Sequence, residues 1–171
     1  MTNKNPDTLI YGVSYGDIEK FHMFMREFKT RGDIFEKYAN FLCERLSLEP
    51  GFLNSFDFFV FVPSLTPERT NYSLELARFL SEKLHKPLKT DVLKKIKNTR
   101  ELKTLPREER HGEIKDSFGA SLNGGERVCI IDDVTASGAT LSEITSALKN
   151  AGASYVCAAV VAVYLPQLTA R

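Results

Sequence analysis

Cysteine is scarce in this 171-residue chain: Cys43, Cys129 and Cys157 are far apart, odd in number and set among apolar residues. Neither a disulfide framework nor a C-x-x-C metal knuckle is encoded, so they read as reduced core thiols. Charge of one sign is scarce too. The 23 Lys/Arg and 22 Asp/Glu leave a formal net charge of +1, which argues against a disordered chain or a dedicated nucleic-acid binder. No apolar run reaches the length of a membrane span, since Ala158 to Leu165 is strand-sized, and the first ten residues hold no apolar signal core. No membrane partner and a cytoplasmic location are expected. Also missing are G-x-G-x-x-G, G-K-[ST] and G-x-S-x-G, which weakens the dinucleotide, P-loop and serine-nucleophile readings.

What is present suits one domain over residues 1–171, long enough for a full core. Leu9 to Val13 is strand-like. Asp17 then caps a helix whose apolar positions are Ile18, Phe21, Phe24, Met25 and Phe28. A second helix follows Gly32-Asp33, with Phe35, Tyr38, Phe41, Leu42 and Leu46 on one face; such aromatic stripes are usually core. Phe56 to Val62 reads as a buried parallel strand ending at Pro63, and Tyr72 to Leu84 as a helix. Further strands are expected over Asp91 to Ile96, Val128 to Ile131 and Tyr155 to Val163, with a polar stretch from Asn98 to Asp116 between the first two of these. A helix through Leu141, Ile144 and Leu148 separates the last two. Strands alternating with helices predict an α/β fold with a parallel, doubly wound sheet, whose ligand sits beyond the carboxyl ends of the strands.

The segment from Arg127 to Leu141, R-V-C-I-I-D-D-V-T-A-S-G-A-T-L, carries the chemistry. Its apolar strand delivers Asp132 and Asp133 to the edge where ligands bind. An acid pair at a strand end is by itself often turn chemistry. The residues that follow it, Thr135, Ala136, Ser137, Gly138, Ala139 and Thr140, are all small, and they precede an amphipathic helix. Amides there can converge on an anion at the helix N-terminus, as a phosphate cradle does. Carboxylates beside such a cradle suit a ribose 5-phosphate.

This string closely resembles the phosphoribosyl pyrophosphate (PRPP) signature of type I phosphoribosyltransferases, in which two acids follow a strand and a T-x-S/T-G-x-T loop follows them. Flanking matches resemble the ComF-like members: Tyr15-Gly16, Lys29 to Asp33, Val62-Pro63, Asn71 with Leu76-Ala77, Leu93 to Thr99, then Leu105, Glu109-Arg110 and Phe118. The resemblance implies the type I phosphoribosyltransferase fold, a central mostly parallel sheet flanked by helices, with a small hood. It places Asp132 and Asp133 on the ribose hydroxyls as the catalytic acids and residues Thr135 to Thr140 around the 5-phosphate. Mg²⁺ would be held mainly by PRPP itself rather than by a protein cage.

Between Lys83 and Lys115 eleven Lys/Arg face five acids, a local +6 in a chain of +1. Many of these must be solvated. The family's habit of placing basic residues near pyrophosphate makes Lys94 and Lys95 the first candidates, Arg110 the loop candidate and Lys103 a weaker one. The loop from Pro63 to Asn71, including Ser64, corresponds to a segment that usually meets pyrophosphate through backbone amides. Here Arg69-Thr70-Asn71 lacks the glycine common in ComF-like chains, and Asn71 reads equally as a helix cap. Where 6-oxopurine enzymes typically carry an Asp that handles the base proton, this chain has Ala136. General acid-base catalysis is worth roughly 10²- to 10⁴-fold, so the unidentified acceptor is not expected to be a 6-oxopurine. His111 in the basic loop, and His22 and His85 on helices, read as surface residues.

The function implied is a Mg²⁺-dependent phosphoribosyltransferase, a pentosyl-transferring glycosyltransferase. The alternative is a non-catalytic module that senses PRPP or a nucleotide for a partner, in DNA uptake or nucleic-acid metabolism. A third reading has the basic segment contact nucleic acid in a salt-dependent way. ComF-like proteins often begin with a four-cysteine zinc module; this chain starts almost directly at its first strand, so zinc is not implied. A homodimer stays open.

Overall fold

The computed structural model describes residues 5–64, 70–97, 99 and 104–166, without the side chains of residues 107, 108, 110 and 111. Four strands form one parallel sheet: β1 (Thr8–Tyr15), β2 (Phe58–Phe61), β5 (Arg127–Thr135) and β6 (Tyr155–Tyr164), in the order β1-β6-β5-β2. The two central strands are the most apolar. Val128 to Ile131 and Val156 to Ala162 are fully buried, as strands covered on both faces must be.

Helices α1 (Ile18–Thr30), α2 (Gly32–Leu48) and α3 (Tyr72–Leu84) pack on one face, where Phe21, Phe28, Leu42, Leu46, Leu76 and Leu80 meet Phe59, Cys129, Ile131 and Cys157. The opposite face carries α5 (Ala139–Asn150), whose Leu141, Ile144 and Leu148 pack on Val60, Val128, Ile130 and Val160. Asp17 caps α1 through Oδ1, which accepts from the Lys20 amide at 2.9 Å, and Asn71 caps α3 by accepting from Leu74 N at 3.1 Å. The cap reading of Asn71 therefore holds, and its amide side chain also donates to the Val62 carbonyl at 3.1 Å, tying the start of α3 to the end of β2.

The expected strand over Asp91 to Ile96 exists but belongs elsewhere. It forms β3 (Leu93–Lys95), antiparallel to β4 (Phe118–Ala120) in a separate two-stranded sheet. Its pattern of Val92 and Leu93 buried beside exposed Lys94 fits a strand covered on one side only. Within the polar stretch after it, α4 (Arg107–Ile114) forms with Ile114 buried against the core. In the main sheet the place next to β2 is taken by one parallel bridge, Phe59 to Leu88.

This topology positions the site. From β2 the chain runs through α3 on one face to Leu88, away from β5; from β5 it runs through α5 on the other face to β6, away from β2. Connections that diverge in this way leave a crevice between the carboxyl ends of neighbouring strands, the usual ligand position in open α/β sheets.

Candidate functional site

Strand β5 is longer than its apolar core suggests. It continues through Asp132 and Asp133 to Thr135, because β6 remains paired alongside as far as Thr135 opposite Val163. Both carboxylates are consequently buried, at 7% and 8% exposure, at the crevice between β5 and β2. Burial is costly for a charge unless it is partnered, and each acid is partnered differently. Asp132 Oδ1 accepts from Ser73 Oγ at 2.8 Å and from the Asp133 amide at 2.9 Å. Asp133 Oδ1 accepts from Val134 N at 2.9 Å, and Oδ2 lies 2.6 Å from the ammonium of Lys29. Burial pushes the Asp132 carboxyl well above the usual carboxylate range, and the neighbouring Asp133 pushes the same way; the Ser73 hydroxyl partly offsets both. The pair thus sets an acid of raised proton affinity beside an acid paired with a cation.

Beyond Thr135 the chain turns through Ala136, Ser137 and Gly138 into α5. Gly138 has φ +74°, a left-handed conformation in which a Cβ would strain the turn, and it precedes the helix without any side-chain cap. First-turn amides of a helix have no intrahelical acceptor. Among the described residues Ala139 N has a local one, Ser137 Oγ at a long 3.4 Å. Thr135 to Thr140 line a cavity of about 460 Å³ with Asp132 and Val134, and its far wall is Ile18, Phe21, His22 and Met25 of α1 with Tyr164 at the end of β6.

A second cavity, about 250 Å³, lies on the other side of the acid pair. Val62, Pro63 and Ser64 from the end of β2, Thr70 to Ser73 at the start of α3, Lys29, Ile114 and Phe118 surround Asp132, Asp133 and Thr140. Asp132 and Thr140 border both spaces. The arrangement sets a small-residue loop at a helix start, two carboxylates and a cation around two adjoining spaces, which suits a ligand carrying both hydroxyls and anionic groups.

The sequence candidates divide accordingly. Asp132, Asp133, the whole Thr135 to Thr140 loop and Ser64 are brought together around these two spaces. Lys94 and Lys95 line neither: Lys94 is exposed on β3, and Lys95 donates to Thr99 Oγ1 at 3.0 Å, its affinity for a proton lowered by burial. Arg110 lies in α4 with its side chain outside the described residues, as does the side chain of His111; Lys103 and Arg69 fall outside them altogether.

Sequence reasoning missed Lys29, Ser73 and the α1 wall. Ser73 could have been found, because it sits three, four and seven residues before Leu76, Ala77 and Leu80, a polar residue on the buried stripe of its own helix. His22 is exposed, as expected, yet it borders the loop-side cavity.

Comparison with known proteins gives the context. The phosphoribosyl transferase domain family matches residues 70–169. The chain is 31% identical over 81 residues to Competence protein F of Haemophilus influenzae, and the match spans 45% of this chain and only 35% of that relative. Among solved structures it is similar to purine phosphoribosyltransferase from Pyrococcus horikoshii Ot3, with 24% identity, a TM-score of 0.46, and 76% of this chain and 80% of that one covered. It is similar also to Leishmania donovani UMP synthase, with 21% identity, a TM-score of 0.47, and 84% of this chain and 30% of that one covered. Matched over more than half its length, through β5, the acid pair and the loop, the chain belongs to the phosphoribosyl transferase domain family.

Proposed function

We propose that the protein is a Mg²⁺-dependent phosphoribosyltransferase that binds PRPP across the Asp132-Asp133 pair and transfers its ribose 5-phosphate to an acceptor other than a 6-oxopurine. The observation that carries this reading is the pair of cavities sharing Asp132 and Thr140, with the small-residue loop on one side and the β2–α3 segment on the other. The 5-phosphate sits against residues Thr135 to Thr140, where the first-turn amides of α5 and its positive dipole end favour an anion. The ribose hydroxyls then reach the acids, and the pyrophosphate extends towards Ser64 and Asn71.

Carboxylate oxygens beside a phosphate-bearing ligand suit Mg²⁺, which takes one or two carboxylates plus substrate oxygens and keeps several waters. Asp132 and Asp133 fit that donor set; when bound, the ion supplies charge neutralisation for the departing pyrophosphate. The chain's own residues do the rest by positioning. An acceptor atom forms its bond to the anomeric carbon as the bond to pyrophosphate breaks, and the acids hold the sugar so that the two are in line. Ala136 on the loop cannot take a proton from the acceptor, so an acceptor that ionises or loses its proton to water is favoured.

Calorimetry with PRPP and Mg²⁺, followed by a pyrophosphate-release assay over a panel of bases and amines, tests this. Tight binding with release that Asp133→Asn abolishes is the expected result; neither binding nor release sinks the proposal. Binding without release for any acceptor would instead support a PRPP-sensing module, a reading consistent with Ala136 and with the missing glycine before Asn71.

A further inference from the structure

The phosphate-side cradle is rich in amides, but pyrophosphate at the other end needs positive charge, and β3 places neither Lys94 nor Lys95 beside that cavity. The described cation that does line it comes from a different element. Lys29 stands in the last turn of α1, and its ammonium lies 2.6 Å from Asp133 Oδ2 and 5.8 Å from the centre of the Tyr72 ring. Its backbone is anchored as well, because the Tyr72 hydroxyl donates a hydrogen bond to the Lys29 carbonyl. That carbonyl belongs to the helix end, where intrahelical donors run out. Tyr72 begins α3, directly after the Asn71 cap, so the lysine backbone is tied to the same segment that borders the cavity while its side chain stays free to swing.

We propose, resting on the PRPP-binding reading above, that Lys29 is an exchangeable counter-ion: it neutralises Asp133 while the site is empty and turns to the pyrophosphate when ribose hydroxyls occupy that carboxylate. Three features make the exchange favourable. The lysine side chain is 36% exposed against 11% for Asp133, so the ammonium can leave without being buried elsewhere, and ribose hydroxyls then supply the partner that the buried carboxylate needs. A lysine head swings on a flexible four-carbon stem, unlike the planar fork of arginine. Finally, the same side chain borders a neighbouring open space of about 310 Å³ with Phe28, Arg31, Phe35 and Tyr72, so it has room to move without repacking the core. Tyr72 then acts as a positioning residue, holding the Lys29 backbone from which the side chain swings.

The test compares three probes, Mg²⁺-PRPP, Mg²⁺-pyrophosphate and ribose 5-phosphate, by calorimetry against wild type, Lys29→Met, Lys29→Arg and Tyr72→Phe, with melting curves to verify folding. Loss of one charge-assisted phosphate contact predicts that Lys29→Met weakens Mg²⁺-PRPP and Mg²⁺-pyrophosphate by about tenfold or more. Ribose 5-phosphate should bind as in wild type or more tightly, since Asp133 is released. Lys29→Arg should restore most of the pyrophosphate affinity, and Tyr72→Phe should show a smaller loss with the same selectivity. If all three probes weaken together, Lys29 only supports the acid pair and the inference is overturned; it is equally overturned if none weakens. Wild type that binds no PRPP or ribose 5-phosphate would instead bring down the underlying reading, an outcome visible before any variant is made.

Discussion

The cavity on the loop side takes most of its wall from one continuous segment, Asp132 to Thr140, whereas the cavity on the cation side collects Lys29 from α1, Ser64 from the end of β2, Asn71 to Ser73 from α3 and the acids from β5. Continuity has a physical consequence. A strand-turn-helix unit shapes its own cradle through backbone geometry, so its function depends on conformations a few residues can enforce locally. The cation side exists only when several elements are docked, Ile114 of α4 and Phe118 of β4 among its lining, and its function depends on side chains held by tertiary contacts such as Ser73 to Asp132 and Tyr72 to Lys29. Damage should therefore be steep and local on one side, graded and distributed on the other.

The largest expected effect comes from breaking the local geometry. A Cβ at position 138 meets nothing within 4 Å, so Gly138→Val acts through the backbone, where φ +74° is forbidding to a β-branched residue. Moving the loop out of this conformation, at a cost of about 1–2 kcal/mol, should misplace the amides and lower PRPP affinity about 100-fold. Mg²⁺-pyrophosphate binding, measured in parallel, should hardly change. Equal losses for both would show that the two cavities do not act separately.

Asp132→Asn strikes the boundary that both cavities share, and it should reduce PRPP affinity by about tenfold while raising stability. The sign follows from the raised affinity of Asp132 for its proton, caused first by burial and then by Asp133. A raised value means that its contribution to folding is full below the usual carboxylate range and is lost as pH climbs through the folded-state value. Asparagine stays neutral and keeps an oxygen for Ser73 and the Asp133 amide. The variant should therefore match wild type in acid and gain a lead that grows with pH and then levels off, about 0.5–2 kcal/mol by urea unfolding. A constant difference at all pH values would contradict the protonation argument.

The same contrast explains what could be read from residue order alone. Asp132 to Thr140 was legible because its chemistry is contiguous, and helix α3 because its apolar period and caps are local. The placement of β3 was not legible: a short apolar pair beside lysines pairs with Phe118–Ala120 or with β2 according to tertiary packing, which strand propensity does not encode. Lys29 fits the family's spacing, yet nothing near it in sequence announces a carboxylate 104 positions away. The α1 wall failed for a related reason, because Phe21 and Met25 obey the core pattern and also border a cavity.

Smaller effects probe the cation side. Ser73→Ala deletes a buried hydroxyl and leaves Asp132 Oδ1 with only the Asp133 amide, which should cost about 1 kcal/mol of stability. That hydroxyl lowers the proton affinity of Asp132, so the cost should be greater at high pH, where the carboxylate is ionised, than in acid; urea unfolding at two pH values checks this.

Lys94→Ala should do least. Its side chain is exposed on a strand outside the main sheet and borders neither cavity, so only long-range attraction links it to a bound pyrophosphate, and such attraction is screened beyond about 8 Å at physiological salt. PRPP affinity should fall less than about twofold, with the difference vanishing as salt is raised. A tenfold, salt-resistant loss would mean that the β3–β4 sheet closes onto the bound ligand and carries a second cation to it. The cation side would then be completed by PRPP rather than formed before it arrives, and Lys29 would be the first of its cations to engage.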